Sequence, residues 1–273
     1  MSILEAIILG IVQGLTEFLP VSSSGHLAIF SRIFDMKETS LFFDTMLHLG
    51  TLIAVFVVLW KDIWEILKKP FQKITGFLIL ATIPAVIAAL TFGDIIEELF
   101  TTAQLLGVCF LITTALLVIA EILSRRARDS NQLKNADSMT WLDALIIGIM
   151  QALAIPPGIS RSGATISAAL FRKLDRDFAA RFSFLLSIPA ILGAVVLQVK
   201  NLVFNSAAET TGVSTGVGAV IAGTLAAAVV GYFAVRFMIK IIRERSLFGF
   251  AIYTCVLGIF VLIDQFGTKI IFS

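Results

Sequence analysis

Along the chain, apolar runs of two lengths alternate with short polar breaks. Six runs, at 42–60, 75–92, 103–124, 183–204, 215–240 and 247–266, each hold about as many residues as a helix needs to cross a hydrocarbon core of roughly 30 Å. Two others, 3–15 and 141–154, are too short; at about 1.5 Å per residue each gives a helix of roughly 20 Å. Both end in a polar, proline-containing break, and both breaks lead into another short segment, 22–31 and 162–171. Non-helical backbone at membrane depth is tolerated only where it is buried in protein or lines a cavity. The pattern therefore predicts an all-α polytopic membrane protein, with six transmembrane helices and two re-entrant helix hairpins at 1–34 and 140–171.

Composition agrees and closes other classes. Hydrophobic residues make up 58% of the chain and charged residues 15%, with a mean hydropathy of +0.97, whereas a soluble domain carries about 25% charged residues. No basic patch with interleaved aromatics suggests a nucleic-acid partner. Cys109 and Cys255 are lone cysteines in apolar runs, without disulfide or metal-binding spacing. The N-terminus lacks a basic region, so no cleavable signal peptide is expected.

The net charge of +2 matters less than where the charges fall. Lys61, Lys68, Lys69 and Lys73 follow the first span, and Arg125, Arg126, Arg128 and Lys134 follow the third. Arg172, Lys173, Arg176 and Arg181 follow the second hairpin; Arg236, Lys240, Arg243 and Arg245 follow the fifth span. Only Arg32, Lys37, Lys200 and Lys269 fall on the opposite side. The positive-inside rule then puts both termini outside a plasma membrane, together with a loop at 93–102 carrying Asp94, Glu97 and Glu98. On this topology the first hairpin enters from outside and the second from the cytoplasm.

A second pattern supports opposed halves. Sliding residues 2–29 onto 140–167 without a gap gives ten identities in 28 positions, including Gly10 with Gly148, Gln13 with Gln151, Ser22 with Ser160, Ser24 with Ser162 and Gly25 with Gly163. The helix starts also match as capping boxes, Ser2 with Glu5 and Thr140 with Asp143. An inverted-topology repeat is expected, 1–124 against 140–268, with the site near the midplane where the broken helices meet.

The two breaks differ in chemistry. Glu17 aligns with Ile155, Ser23 with Arg161, and His26 with Ala164. One tip thus offers a carboxylate, an imidazole and hydroxyls; the other offers a cation and more hydroxyls. Arg161 stays charged and at membrane depth needs an anion or a wet cavity. Free N–H groups at a helix start, beside a guanidinium fork, suit a phosphate.

Gln13-x-x-x-Glu17, then Pro20-Val21-Ser22-Ser23-Ser24-Gly25-His26, and Pro157-Gly158-x-Ser160-Arg161-Ser162-x-x-Thr165 resemble the paired signatures of the undecaprenyl-diphosphate phosphatase, or bacitracin-resistance, family. The resemblance covers nearly the whole chain; Ser24 stands where threonine is more usual. It implies removal of the terminal phosphate of undecaprenyl diphosphate, giving the monophosphate carrier used in cell-wall synthesis, with bacitracin competing for that substrate. It also implies a divalent cation, Mg²⁺ or Ca²⁺, and a site opening toward the outer face. A homodimer is left open.

Roles follow from the chemistry of phosphoryl transfer, which relies on positioning and charge neutralisation. Arg161 is expected to clamp the diphosphate, or else to form a structural ion pair with Glu17. Glu17 is expected to bind the metal or act as base. His26 is expected to be a nucleophile or the acid/base that activates Ser23, itself the alternative nucleophile. Ser22, Ser24, Ser160, Ser162 and Thr165 would hold phosphate oxygens, and Gln13 and Gln151 would position ligands or cross-link the hairpins. Asp44 and His48, four residues apart, read as a local hydrogen-bonded pair. A transporter or lipid flippase is the rival reading, because inverted repeats with broken helices also build carriers; a carboxylate and imidazole beside an anion site favour the enzyme.

Overall fold

The computed structural model describes residues 1–34, 41–204 and 216–272; Lys37 and residue 215 lie outside them. The described chain is built of α-helices, and its only strand-like pairing there is an isolated bridge between Lys134 and Leu174. The first short run is α1, Ile3–Thr16, and the segment after its break is α2, Ser23–Ile33. Their counterparts are α8, Trp141–Leu153, and α9, Arg161–Phe171. The spans are α3, Leu41–Val58; α5, Lys73–Thr91; α7, Leu106–Asp129; α10, Arg176–Phe204; α11, Val217–Glu244; and α12, Phe248–Ile263. Each covers one of the six long runs.

Two stretches differ from the sequence expectation. Of the lysines after the first span, Lys61 and Lys68 belong to a further helix, α4, Trp60–Lys68, which leaves α3 at 78°, and Lys73 opens α5. Its sequence places Ile63, Ile66 and Leu67 against Lys61, Asp62, Glu65 and Lys68, an amphipathic pattern suited to an interface. The stretch expected as a loop at 93–102 is helix α6, Gly93–Thr102, closed by Ala103 in a left-handed conformation. There Ile95, Ile96 and Leu99 recur at helical spacing, a signal masked by the acidic residues among them. A π-helical turn, Asp264–Thr268, follows α12, and its Asp264 carboxylate accepts N–H groups from Ile270, Ile271 and Phe272.

Large apolar side chains cover the outside. Ile79, Leu90, Val196, Leu225, Phe233 and Ile252 are each more than 60% exposed or at that level, a surface for lipid rather than water. Pro84 and Pro189 sit inside α5 and α10, which a helix among neighbouring helices tolerates.

The first helix of each hairpin packs on a long helix of the other half: α1 on α11, and α8 on α5. Close approach explains the aligned glycines. A Cβ on Gly10 would lie 2.2 Å from the Gly223 carbonyl oxygen, and one on Gly148 would lie 2.5 Å from that of Ala81. Without side chains the backbones touch, the packing that membrane helices use in place of a hydrophobic drive. Both capping boxes form: Ser2 with Glu5, and Thr140 with Asp143. Asp143 also holds Lys134 Nζ at 3.0 Å and Arg172 Nε at 2.6 Å, tying both ends of the second hairpin together. At the same end of the bundle as α4, buried Glu121 binds Arg125, Arg176 and the Leu247 N–H, so α7, α10 and the turn before α12 are clamped together.

Candidate active site

Each break stops a helix for a local reason. After Glu17 the chain reaches Pro20, which has no N–H to give, and Val21 N–H folds back to the Leu19 carbonyl at 2.7 Å. Phe18 is fully buried edge-on against Phe184, with centroids 5.5 Å apart, fixing Glu17 beside it. In the second break Gly158 adopts φ +95°, and a Cβ there would come within 2.7 Å of Cys109. Only glycine meets both demands.

Each new helix then starts on an aligned serine. Ser22 caps α2 by accepting the Gly25 N–H, and Ser160 caps α9 by accepting the Gly163 N–H. Ser23 and Arg161 are consequently the first residues of their helices. Two half-helices thus begin at the break, with unpaired N–H groups and positive dipole ends there. Ser22 holds φ +71°, a strained value for serine. Its carbonyl accepts both the N–H and the Nδ1 of His26, the latter at 2.6 Å, which secures the turn.

The tips touch. Ser22 Oγ accepts the Gly158 N–H at 3.2 Å, and Ser162 donates to the Leu19 carbonyl at 3.0 Å. A Cβ on Gly163 would meet that of Pro20 at 3.3 Å. Thr113 of α7 supports the second tip, donating to the Gly158 carbonyl and accepting the Ser160 N–H.

At the junction lies Glu17, with a side chain only 5% exposed. Its Oε1 sits 2.5 Å from Arg161 Nη2. Its Oε2 accepts the Ser23 hydroxyl at 2.6 Å and the Gln13 amide at 3.0 Å. A carboxylate with three donors is held in one position. Arg161 Nη1 is buried without a hydrogen-bond partner, and so is Gln13 Oε1. A buried unpaired guanidinium N–H is costly, so this corner is suited to a further anionic acceptor.

The structure therefore brings Gln13, Glu17, Ser23 and Arg161 together. It adds His48, which the sequence reading kept as a partner of Asp44: its Nδ1 lies 2.9 Å from Gln13 Nε2 and 3.4 Å from Glu17 Oε2. The signal available in sequence was a polar stripe, Asp44, His48 and Thr51, in an otherwise apolar span. His26 is placed differently from Glu17. Its Nδ1 meets Ser22 and its Nε2 meets the Tyr253 hydroxyl at 2.7 Å, with the two rings stacked 5.6 Å apart. Ser24 Oγ lies 3.3 Å from Ser22 Oγ, and Ser160 Oγ lies 3.2 Å from Ser162 Oγ; Ser22 and Ser160 engage in their helix caps and Ser162 in the tip contact. Thr165 is fully buried and bonded to the Arg161 carbonyl and to Ser183 Oγ at 2.6 Å, a packing role. Gln151 approaches the Ala81 carbonyl at 3.5 Å and does not join the Glu17 cluster. Cys109 and Cys255 are free thiols.

For a metal, the donor set is hard. Among the described residues no three His, Cys, Asp or Glu side chains are grouped to hold an ion. Mg²⁺, however, commonly takes one or two carboxylates together with substrate phosphates and water. The Glu17 carboxylate and the unpartnered Gln13 Oε1 fit that pattern.

Comparison with known proteins gives consistent matches along the chain. The family described as bacitracin resistance protein BacA matches residues 6–260. Undecaprenyl-diphosphatase 4 of Bacillus cereus is 49% identical over 266 residues, covering 97% of this chain and 98% of that protein. The undecaprenyl-diphosphatase of Carboxydothermus hydrogenoformans is 45% identical over 269 residues, covering 98% and 100%. That of Halothermothrix orenii is 40% identical over 265 residues, covering 96% and 98%.

Proposed function

This chain belongs to the bacitracin resistance protein BacA family, and from that membership we infer that it is a multi-pass membrane phosphatase hydrolysing undecaprenyl diphosphate to undecaprenyl phosphate and phosphate. The product is the lipid carrier for peptidoglycan synthesis, and bacitracin competes for the same diphosphate. The observation that carries the chemistry is the Ser23–Glu17–Arg161 chain, 2.6 Å on one side of the carboxylate and 2.5 Å on the other.

The diphosphate enters as a second anion for Arg161, whose Nη1 has no partner and whose Nη2 it shares with Glu17. N–H groups at the starts of α2 and α9 add donors of fixed direction. As Arg161 turns toward phosphate, Glu17 loses the guanidinium held 2.5 Å from its Oε1 and becomes a better base. Ser23 Oγ attacks the terminal phosphorus and passes its proton to Glu17; the bond to the bridging oxygen breaks, and undecaprenyl phosphate leaves. Glu17 hands that proton to the departing phosphate oxygen; water then attacks the phosphoserine, one of its protons passes to Glu17, and as the P–Oγ bond breaks Glu17 returns it to Ser23 Oγ and phosphate departs. Gln13 and His48 hold the Glu17 carboxylate in place, and His26 holds the Ser22 turn from which Ser23 projects. Glu17 and Gln13 would hold a divalent cation, Mg²⁺ or Ca²⁺, which when bound neutralises charge on the phosphoryl group.

The charge asymmetry of the loops supports both termini outside, and the family resemblance supports a pocket opening toward that face. The test is phosphate release from undecaprenyl diphosphate by purified protein with Mg²⁺. Ser23→Ala should lower turnover about 10³-fold or more, as for loss of a nucleophile. A phosphoenzyme trapped on His26 in place of Ser23 would overturn the assignment of the nucleophile while leaving the activity standing.

A further inference from the structure

Away from the hairpin tips, a cavity of about 550 Å³ opens where α3 bends into α4. Its walls are Val57 and Val58 of α3, Lys61 and Asp62 of α4, Arg181 of α10, and Tyr232 and Arg236 of α11. None of these residues belongs to the phosphatase site.

The charges lining it are unbalanced. Arg181 is shared between Asp62 at 3.2 Å and Asp177 at 2.8 Å. Arg236 donates to the Tyr232 hydroxyl at 2.7 Å and stacks over that ring, with no carboxylate within ion-pair distance among the described residues. Lys61 likewise has no ion-pair partner among them. Three cations thus face a cavity holding one carboxylate of its own, and two of the three have no acidic partner. Such an arrangement attracts an anion.

The surroundings say what kind. Val57 and Val58 line the cavity beside the cations, with Val57 59% exposed, and Phe233 and Phe237, which follow Tyr232 and Arg236 directly on α11, are 64% and 52% exposed. An occupant with a charged head at Lys61 and Arg236 would have an apolar path alongside α3 and α11. Trp60 and Trp64 stack on each other, centroids 5.6 Å apart, and remain about half exposed. Tryptophan with that exposure marks headgroup depth, and α4 is amphipathic and turned away from the span, as a helix lying in an interface is. The cavity therefore opens at headgroup level on the side of the bundle richest in lysine and arginine, where anionic lipids concentrate.

We propose that this cavity is a binding site for the phosphate headgroup of an anionic phospholipid, held by Lys61 and Arg236 with the Tyr232 hydroxyl beside them and its acyl chains along α3 and α11. The geometry suits a phosphodiester with an adjoining apolar tail better than free phosphate, because Val57 and Val58 line the cavity next to its cations.

Trp60 and Trp64 provide the probe. In nanodiscs of the full-length Trp141→Phe protein, brominated phosphatidylglycerol should quench their fluorescence at a mole fraction roughly 30-fold lower than brominated phosphatidylcholine requires, from about two added charge contacts. In K61Q/R236Q the two lipids should become equivalent, while K61R/R236K keeps the preference and all variants retain phosphatase activity. Equal quenching by the two lipids in the unsubstituted site overturns the proposal, whatever the variants do. So does a phosphatidylglycerol preference that survives K61Q/R236Q. If millimolar inorganic phosphate abolishes the preference, the site takes free phosphate and the lipid assignment fails.

Discussion

Replacing Glu17 by glutamine keeps the side chain's size and two of its hydrogen-bonding directions but removes its charge. Two consequences can be separated. Arg161, with a side chain 18% exposed, loses its only ion-pair partner among the described residues and is left beside an already unpaired Nη1. Breaking a buried pair from one side costs about 3–5 kcal/mol, and partial exposure of Arg161 puts the expected loss near the lower end, about 3 kcal/mol. Catalysis suffers independently, since Ser23 loses the group 2.6 Å away that takes its proton; a general base contributes about 10²–10⁴-fold. Glu17→Gln should therefore lower phosphate release by at least about 10²-fold and shift thermal unfolding downward. The double variant E17Q/R161Q leaves no uncompensated charge, so it should recover most of the lost stability and none of the activity. Unfolding can be followed by tryptophan fluorescence in detergent, and phosphate release measured on the same preparations. A Glu17→Gln protein within about 10-fold of normal turnover would refute the base assignment. A double variant no more stable than the single one would refute the electrostatic account of the junction.

Two further outcomes follow from separate features. Gly148→Ala should destabilise by about 1–3 kcal/mol, because its Cβ would meet the Ala81 carbonyl oxygen at 2.5 Å, whereas Gly193, with nothing within 4 Å, should accept alanine at no cost; equal unfolding temperatures in the two variants would contradict the close-approach reading of α8 on α5. Chelation with EDTA should abolish phosphate release and Mg²⁺ or Ca²⁺ should restore it, while Gln13→Ala should raise the metal concentration needed for half-maximal activity about 10-fold or more; an unchanged metal requirement in that variant would remove Gln13 from the ligand set.

Most of the helical frame was legible because the bilayer imposes a length rule. Runs of sufficient length became α3, α5, α7, α10, α11 and α12, and the two short runs became α1 and α8. The caps that open the hairpins were legible for a local reason: Ser2 and Thr140 each lie three residues before an acidic residue, and both capping boxes form. Helix α6 was missed because acidic residues hid a short apolar period, and the bend into α4 because a charge run reads as a loop. His48 was visible as part of a polar stripe, but its partner, like that of Tyr253, was out of reach for a different reason. The two residues approach Gln13 and His26 across 35 and 227 residues of sequence, and no local pattern reports such a contact. His26 was expected as nucleophile or as the acid/base for Ser23, and its actual partners, the Ser22 carbonyl and the Tyr253 hydroxyl, were only partly local.

The differences between the hairpins carry the chemistry, and their likenesses carry the mechanics. Gly10 and Gly148 admit a neighbouring backbone, Ser22 and Ser160 cap the second helices, and both helix starts are brought to one junction. If the tips were alike in charge as well, the junction would fail: two carboxylates or two guanidiniums at 2.5 Å would repel strongly in a medium of low dielectric. Substituting one position in each tip resolves this. Glu17 stands against Ile155 in the alignment, and Arg161 against Ser23, so each tip supplies a charge where the other supplies a neutral group. The pair neutralises itself when empty and can divide when a diphosphate arrives, Arg161 to the phosphate and Glu17 to the hydroxyl of Ser23. A frame of matched halves thus gains an acid–base pair with opposite charges by changing a few side chains at the point where the halves meet.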